Sequence, residues 1–219
     1  MIVIPVRGRK GVRPSKVICL LRNYVEHAEE MSSAPAEEPY FFLKPPSALV
    51  LDEGNIRIPK GIGEVHHEVE LAVVMGRGGK SISQQDALSH VLGYALLIDV
   101  TARDVQAKAK KAGLPWTIAK GYDTFAPVSE IVPRGEVPDP HNLEIWLKVN
   151  GMYRQRSTTA LMNHKVPRII EYVSGIMSLE PGDIIATGTP KGVGPLAAGD
   201  VVEAGVEGVG RLRIKVVEA

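Results

Sequence analysis

The sequence predicts an α+β fold, and three observations carry that reading. Many short segments alternate apolar and polar residues with the period of a strand, few carry a helical period, and the two kinds do not alternate regularly enough for a doubly wound parallel sheet. At 219 residues the chain is long enough for one sizeable core, and a second independent domain would be cramped. Residues 1–16 read as a short N-terminal arm or hairpin, and 17–219 as a single domain.

Charge and hydropathy set several function classes aside. With a formal charge of +1 and acids and bases spread along its length, the chain lacks the positive field of a dedicated nucleic-acid binder. The local exception, Arg7, Arg9, Lys10, Arg13 and Lys16, has no interleaved aromatic residues to stack on bases and reads as a solvated arm. Val17 to Leu21 is far too short for a signal-peptide core, and no later segment approaches the roughly 20 apolar residues of a membrane span, so we expect a cytoplasmic protein with no membrane partner. Cys19 is the single cysteine, which excludes an internal disulfide; between Ile18 and Leu20 it reads as a small buried hydrophobe.

Along the chain, Val17 to Leu21 reads as a buried strand, and Asn23 as the cap of a short helix from Tyr24 to Met31 that ends near Ser32 and Ser33. Tyr40 to Leu43 suits a strand, stopped by Lys44-Pro45-Pro46, and Pro59 to Gly63 is a turn. Val65 to Met75 alternates as one strand, with Val69, Leu71, Val73 and Met75 on one face and His66, Glu68, Glu70, Ala72 and Val74 on the other. Ser83 to Val91 has the pattern of a short amphipathic helix, and Gly93 to Val100 is an apolar strand apart from Asp99. Thr101 is placed to cap a helix with Asp104 in its first turn, ended by Gly113 and Pro115. Leu143 to Val149 and Met152 to Gln155 flank the hairpin signal Asn150-Gly151, and Pro167 to Met177 suits a helix. Two Gly-Asp turns, at Gly182-Asp183 and Gly199-Asp200, each lead into a strand, and the chain closes with Leu212, Ile214 and Val216 alternating against basic residues.

Glu68 and Glu70 are the chemical signal. Two residues apart on a strand, they lie roughly 7 Å apart at their Cα atoms and share a face. Brought to about 4 Å, two carboxylates repel by roughly 4 kcal/mol at an effective dielectric near 20, a penalty that a cation or protons must offset. An all-oxygen set selects a hard cation such as Mg²⁺, Mn²⁺ or Ca²⁺ over zinc. His66 shares the glutamates' face and reads either as a ligand or as a partner of one, whereas His67 points away and reads as a packed histidine with its nitrogens satisfied. His27 and Glu30, three apart on a helix, face the same way, as a proton-sharing pair or an exposed surface contact. Lys120 follows the apolar Trp116 to Ala119 and can polarise a substrate oxygen or form a strand-end salt bridge.

Several segments together resemble the fumarylacetoacetate hydrolase family, especially its acylpyruvase and oxaloacetate decarboxylase-like branch. They are Arg22-Asn23-Tyr24 with His27 and Glu30, Phe42-Leu43-Lys44-Pro45, His67-Glu68-Val69-Glu70-Leu71, Gly93-Tyr94-Ala95 leading to Asp99, and Thr101-Ala102-Arg103-Asp104-Val105-Gln106. The likeness continues through Leu114-Pro115-Trp116-Thr117, Lys120-Gly121-Tyr122-Asp123, Pro181-Gly182-Asp183 and Thr187-Gly188-Thr189-Pro190-Lys191-Gly192-Val193-Gly194. The resemblance implies mixed β-sheets forming a roll or sandwich with few peripheral helices, and a homodimer. It implies Asp99 as the third metal ligand beside Glu68 and Glu70, His27 and Glu30 as the water-activating pair, and Lys120 as the group that steadies an enolate. Arg103, Gln106 and Thr189 are its substrate-binding residues. The Gly-rich loop around Thr189 lacks the order of a nucleotide-binding P-loop, since Lys191 precedes Gly192.

The implied activity is divalent-metal-dependent hydrolysis of acylpyruvates or decarboxylation of oxaloacetate, small 2-oxo acids that give a metal-bound pyruvate enolate. An alternative is isomerisation or decarboxylation of 2-hydroxy-dienedioates from aromatic breakdown; a more remote one is a non-catalytic calcium-binding protein. Asn163-His164-Lys165 stands where the family pattern has apolar residues.

Overall fold

The computed structural model describes residues 2–30 and 33–219. An eight-stranded mixed sheet forms its centre, ordered Phe41–Lys44, Val17–Leu20, Ile184–Ala186, Val69–Met75, Val91–Ile98, Ala126–Val128 and Leu49–Leu51, with Val132–Pro133 also paired to Val91–Ile98. Its neighbours run antiparallel except where Ile184–Ala186 meets Val17–Leu20 and Ala126–Val128 meets Leu49–Leu51. A second sheet of five strands, Met152–Thr158, Glu144–Val149, Val201–Val206, Gly210–Glu218 and Asn55–Ile58, packs over one face. Thr101–Ala102, Val65–His67 and Gly194–Leu196 make a small third sheet, and Ile4–Val6 with Arg9–Val12 makes an N-terminal hairpin. The helices are short: α1 (Val25–Glu30), α2 (Gln84–Ala87), α3 (Arg103–Lys111), α4 (Thr117–Lys120) and α5 (Val166–Ile176). This is the expected α+β arrangement of mixed sheets with few helices. Among the described residues no helix is long and apolar enough to cross a membrane.

Every residue of Val69–Met75 is buried because the central sheet is covered on both faces. Val69, Leu71, Val73 and Met75 enter the large core beneath the five-stranded sheet, while Ala72 and Val74 join a second cluster with Ile4, Val6, Val17 and Cys19. The alternation read from the sequence therefore separates two cores, with Leu71 and Met75 facing one and Ala72 and Val74 the other. Cys19 is fully buried, as expected.

Four expectations need correction. Val65 to Met75 is not one strand: it breaks at Glu68, so that His66 and His67 belong to the small sheet and Val69 onward to the central one. Lys44 does not stop its strand but closes it from inside, fully buried. Asn23 does not cap α1; its amide donates to the carbonyls of Thr187 (2.8 Å) and His164 (3.0 Å), and its oxygen accepts from His164 N–H (2.7 Å). Thr101 does not cap α3 either, being paired in a strand with His66 while its hydroxyl donates to the Asp99 carbonyl. In both cases tertiary hydrogen bonds outcompete the local cap. The expected end of α1 at Met31 to Ser33 falls partly on residues 31 and 32, outside the described residues. The Asn163-His164 segment, polar where apolar residues were expected, ties down the same region: the Asn163 amide donates to the Ala36 carbonyl (3.0 Å), and its backbone N–H to the Asn23 carbonyl (2.8 Å).

Candidate active site

Strand register brings the carboxylates together. Val69 pairs with Ile98 and Glu70 with Leu97, so Glu68 and Asp99 continue the same antiparallel ladder, and Asp99 N–H donates to the Glu68 carbonyl at 2.8 Å. Glu68, Glu70 and Asp99 are all buried, with one ligand atom of each lying within 4.8 Å of the others. A slip of one residue would turn these side chains to the wrong face. On the other side, Ala186 pairs with Ala72, which sets the following loop beside Glu70: Gly188 N–H donates to Glu70 Oε2 at 2.7 Å.

Three cations share this interior. Lys120, at the end of α4, donates to Glu68 Oε2 (2.9 Å) and Asp99 Oδ2 (2.6 Å). Lys44 donates to Asp99 Oδ1 (2.5 Å) and the Val100 carbonyl (2.9 Å), and Arg103, opening α3, donates to Glu68 Oε1 (2.5 Å) and Gln106 Oε1 (2.7 Å). Formal charges balance, three against three, but their partners are unevenly shared. Burial alone would raise Glu68; Lys120 and Arg103 overcome it and hold the carboxyl well below the usual range. Glu70 goes the other way, raised by burial and by the charges of Asp99 and Glu68, with the Gly188 N–H the largest opposing influence. Lys120 is held above its ordinary value because Asp99 and Glu68 outweigh its desolvation.

That asymmetry is the fit for a metal. Among the described residues Glu70 has no ion pair, its oxygens converge with those of Glu68 and Asp99, and the donor set is all oxygen, which suits one hard divalent cation. His66 is no member of the cluster; it accepts from Arg103 Nε at 3.3 Å and so touches Glu68 only through Arg103. His67 is buried, with Nδ1 bonded to Gln155 and Nε2 without a partner among the described residues, so only half of its expected satisfaction is met.

A cavity of about 200 Å³ opens over the cluster, lined by His27, Glu68, Glu70, Arg103, Gln106, Lys120 and Thr189, and walled by Leu20, Phe42 and Trp116. Lys120 lies 4.9 Å from the Phe42 ring centre. At its rim His27 Nδ1–H donates to Glu30 Oε2 at 3.1 Å, while Glu30 Oε1 accepts from Gly192 N–H at 3.0 Å. Thus α1 is clasped to the loop carrying Thr189, reinforced by Lys191 on Glu26 (3.1 Å). All nine residues singled out from sequence stand in or beside this one cavity. Missing from them are Lys44 and Gln155, both buried, and Arg22 and Lys110, which add positive charge to the lining. The sequence marks Lys44 only as the stop of an apolar strand; Gln155 sits in a strand with no apolar alternation to mark an inward face.

Comparison with known proteins agrees with this architecture. Residues 16–217 match the family described as fumarylacetoacetate (FAA) hydrolase C-terminal. The chain is 50% identical to the mitochondrial oxaloacetate tautomerase FAHD1 of Bos taurus, over 91% of this chain and 90% of the relative. Among solved structures it is similar to fumarylpyruvate hydrolase from Pseudomonas aeruginosa in complex with Mn²⁺ and pyruvate (TM-score 0.94, 35% identity, 100% of this chain and 96% of the other). It is also similar to 5-carboxymethyl-2-hydroxymuconate delta-isomerase from Mycobacterium smegmatis (TM-score 0.85, 44% identity, 95% and 81%). With the family model spanning nearly the whole chain and the buried acidic cluster at the sheet junction, the chain belongs to the fumarylacetoacetate hydrolase family of metal-dependent hydrolases and lyases and is an enzyme.

Proposed function

We propose that the chain cleaves a carbon–carbon bond in small 2-oxo diacids, decarboxylating oxaloacetate or hydrolysing acylpyruvates that end in a carboxylate, with pyruvate as product. The observation that carries this is the Lys120 ammonium, desolvated between Glu68 and Asp99 and open to a cavity whose lining also holds Arg22, Arg103 and Lys110. Such a cavity favours an anion and stabilises negative charge that develops on an oxygen. A divalent cation, Mg²⁺ or Mn²⁺ with Ca²⁺ accepted by the same oxygens, would be held by Glu68, Glu70 and Asp99 and supplies Lewis-acid polarisation of the 2-oxo group.

The residues divide the remaining work. Arg103, whose guanidinium is oriented by Gln106, and the Thr189 hydroxyl hold the oxo-acid carboxylate. Lys120 stabilises the enolate oxygen as the bond breaks. In oxaloacetate the electron pair of the bond to the departing carboxylate passes to C3, carbon dioxide leaves, and a proton taken up from water at His27 Nε2 is passed on to C3, which returns His27 to its neutral form. In an acylpyruvate His27 removes a proton from water, which adds to the distal carbonyl before the same enolate departs. Glu30 accepts the Nδ1–H of His27, fixing its tautomer with Nε2 as the unprotonated nitrogen. Leu20, Phe42 and Trp116 limit bulk water. The proposal extends to a single catalytic domain over 17–219, a homodimer and a cytoplasmic site of action.

A second reading, proton transfer without bond cleavage, is favoured by the His27–Glu30 pair, which needs no water to shuttle a proton between enol and keto forms. The relatives named as a tautomerase and an isomerase support it. Product analysis with Mg²⁺ or Mn²⁺ separates the two. We expect pyruvate from oxaloacetate and from fumarylpyruvate, abolished by chelator and by Glu68→Ala. Loss of enol absorbance with no pyruvate would establish the second reading, and pyruvate release unaffected by Glu68→Ala would overturn both.

A further inference from the structure

We propose that Gln155 is a positioning residue that fixes Thr189 as a hydrogen-bond donor into the cavity and locks its loop to the backbone flanking Glu68; the substrate half of this rests on the 2-oxo acid reading above. Gln155 is the one buried residue of the edge strand Met152–Thr158, which belongs to the five-stranded sheet and not to the sheets that carry the cavity. Its amide makes four hydrogen bonds out of that sheet. The oxygen accepts from Val69 N–H (3.1 Å) and His67 Nδ1 (2.9 Å), and the nitrogen donates to Thr189 Oγ1 (2.7 Å) and the Pro190 carbonyl (2.8 Å).

Backbone chemistry leaves no freedom in that orientation. Val69 N–H can only donate, so the amide oxygen faces it, and the Pro190 carbonyl can only accept, so the amide nitrogen faces that. Two protons are thereby assigned. His67 carries its hydrogen on Nδ1, because that nitrogen faces an acceptor. Thr189 receives a hydrogen bond at Oγ1 and must send its own proton elsewhere. Among the described residues its other acceptor, the Pro190 carbonyl, is 3.5 Å away, beyond a good O–H···O bond, and already accepts from Gln155. Thr189 lines the cavity, so its proton is presented there, where a carboxylate accepts it.

The same side chain spans the metal-ligand position. His67 and Val69 flank Glu68, so one amide grips both neighbours of that carboxylate and the loop above it. A second contact fits the loop to the same strand: Gly192 has φ 95°, and a Cβ there would collide with the Arg154 carbonyl, so the loop lies directly on Arg154-Gln155. Sequence pattern gives no hint of this bridge, because the donors and acceptors belong to three separate segments, 67–69, 155 and 189–190.

Gln155→Glu tests it with almost no change of shape. A carboxylate cannot donate, so Thr189 turns its proton toward residue 155 and offers lone pairs to the substrate anion. We expect KM for oxaloacetate or fumarylpyruvate to rise about 10- to 100-fold, the scale of a lost hydrogen bond to a charged group, with kcat much less affected. Gln155→Met, which frees the Thr189 hydroxyl without reversing it, should raise KM less. In a Thr189→Val background the extra effect of Gln155→Glu should disappear. An unchanged KM, or an equal penalty with and without the Thr189 hydroxyl, would overturn the assignment and leave Gln155 a packing residue. Nitrogen NMR of His67 in the substrate-free, Mg²⁺-loaded wild type needs no variant: the Nδ1–H tautomer is expected, and the Nε2–H tautomer would overturn the Gln155 orientation whatever the substrate. A wild type with the Nδ1–H tautomer but inert toward every 2-oxo acid would instead overturn the catalytic reading and the substrate half of this one.

Discussion

The floor and the rim of the cavity are built on different principles. On the floor, Glu68, Glu70 and Asp99 are placed by the register of a buried sheet, whose strand Val69–Met75 is laddered on both sides, to Val91–Ile98 and to Ile184–Ala186. At the rim, His27 and Glu30 sit on α1, six residues long, too short to be stable as an isolated helix and held by Glu30 on Gly192 N–H and Glu26 on Lys191. Like charges forced together need a rigid frame, and the sheet supplies it. A pair that moves a proton needs only correct approach, which two contacts to a loop can give. The difference teaches that turnover can be separated from stability at the rim: floor substitutions should act on folding and metal binding together, with signs set by charge partners, and rim substitutions on chemistry with folding little changed.

Asp99→Ala breaks the floor most. It removes the shared partner of Lys44 and Lys120 and leaves two buried ammonium groups short of a counter-charge. Removing one member of a buried pair typically costs about 3–5 kcal/mol, so urea unfolding of the metal-free protein should shift by an amount of that order. Lys44 is the sharper control, because it reaches Asp99 without lining the cavity: Lys44→Met should destabilise in the same direction while leaving the cavity lining in place.

Glu70→Gln should act with the opposite sign, although Glu70 is only two residues from Glu68. Its folded pKa is raised by burial and by Asp99 and Glu68, so in the metal-free wild type its contribution to stability is fully present below the unfolded value and is lost as pH rises through the folded one. The uncharged glutamine loses nothing on that rise. Denaturant unfolding of the two metal-free proteins should therefore agree below about pH 4.5, the ordinary glutamate value, and diverge above it in favour of the Glu70→Gln variant. The gain should approach about 1–3 kcal/mol, the usual range for a buried group short of partners. Adding Mn²⁺ should reverse the order, since the variant gives up a ligand. A variant less stable than wild type at neutral pH without metal would show that Glu70 is already neutralised by the protein.

What the sequence made legible follows the same divide. Period-two alternation placed Glu68 and Glu70 on one face with Ala72 and Val74, and Val69, Leu71, Val73 and Met75 on the other, because a strand's parity is local. It could not show that the strand changes sheets at Glu68, since alternation passes through that break unaltered. Asp99 entered the site through family resemblance; only non-local pairing of Val69 with Ile98 makes it a neighbour of Glu68. Asn23 and Thr101 carried the chemistry of helix caps, yet their partners, Thr187, His164 and Asp99, lie in the folded interior and won. Lys44 and Gln155 had no periodic signal at all, because a buried polar residue is recognised by what surrounds it, and those surroundings come from distant segments.

Glu30→Gln should have the smallest effect on stability and so isolates the rim. Glu30 is part exposed, and a glutamine can still accept from either Gly192 N–H or His27 Nδ1–H, so unfolding should change by less than about 1 kcal/mol. Chemistry should not be spared. Without the Glu30 negative charge beside Nδ1, the positive charge that develops on His27 as it takes up a proton in the transition state is no longer offset, and kcat should fall about 10²- to 10⁴-fold, the usual contribution of a positioned acid–base group. Mn²⁺ affinity, set by the floor, should be unchanged by calorimetry. If Glu30→Gln instead weakened metal binding as strongly as Glu68→Ala, the separation of floor from rim would fail, and the α1 clasp on the Thr189 loop would have to be counted as part of what holds the carboxylates in place.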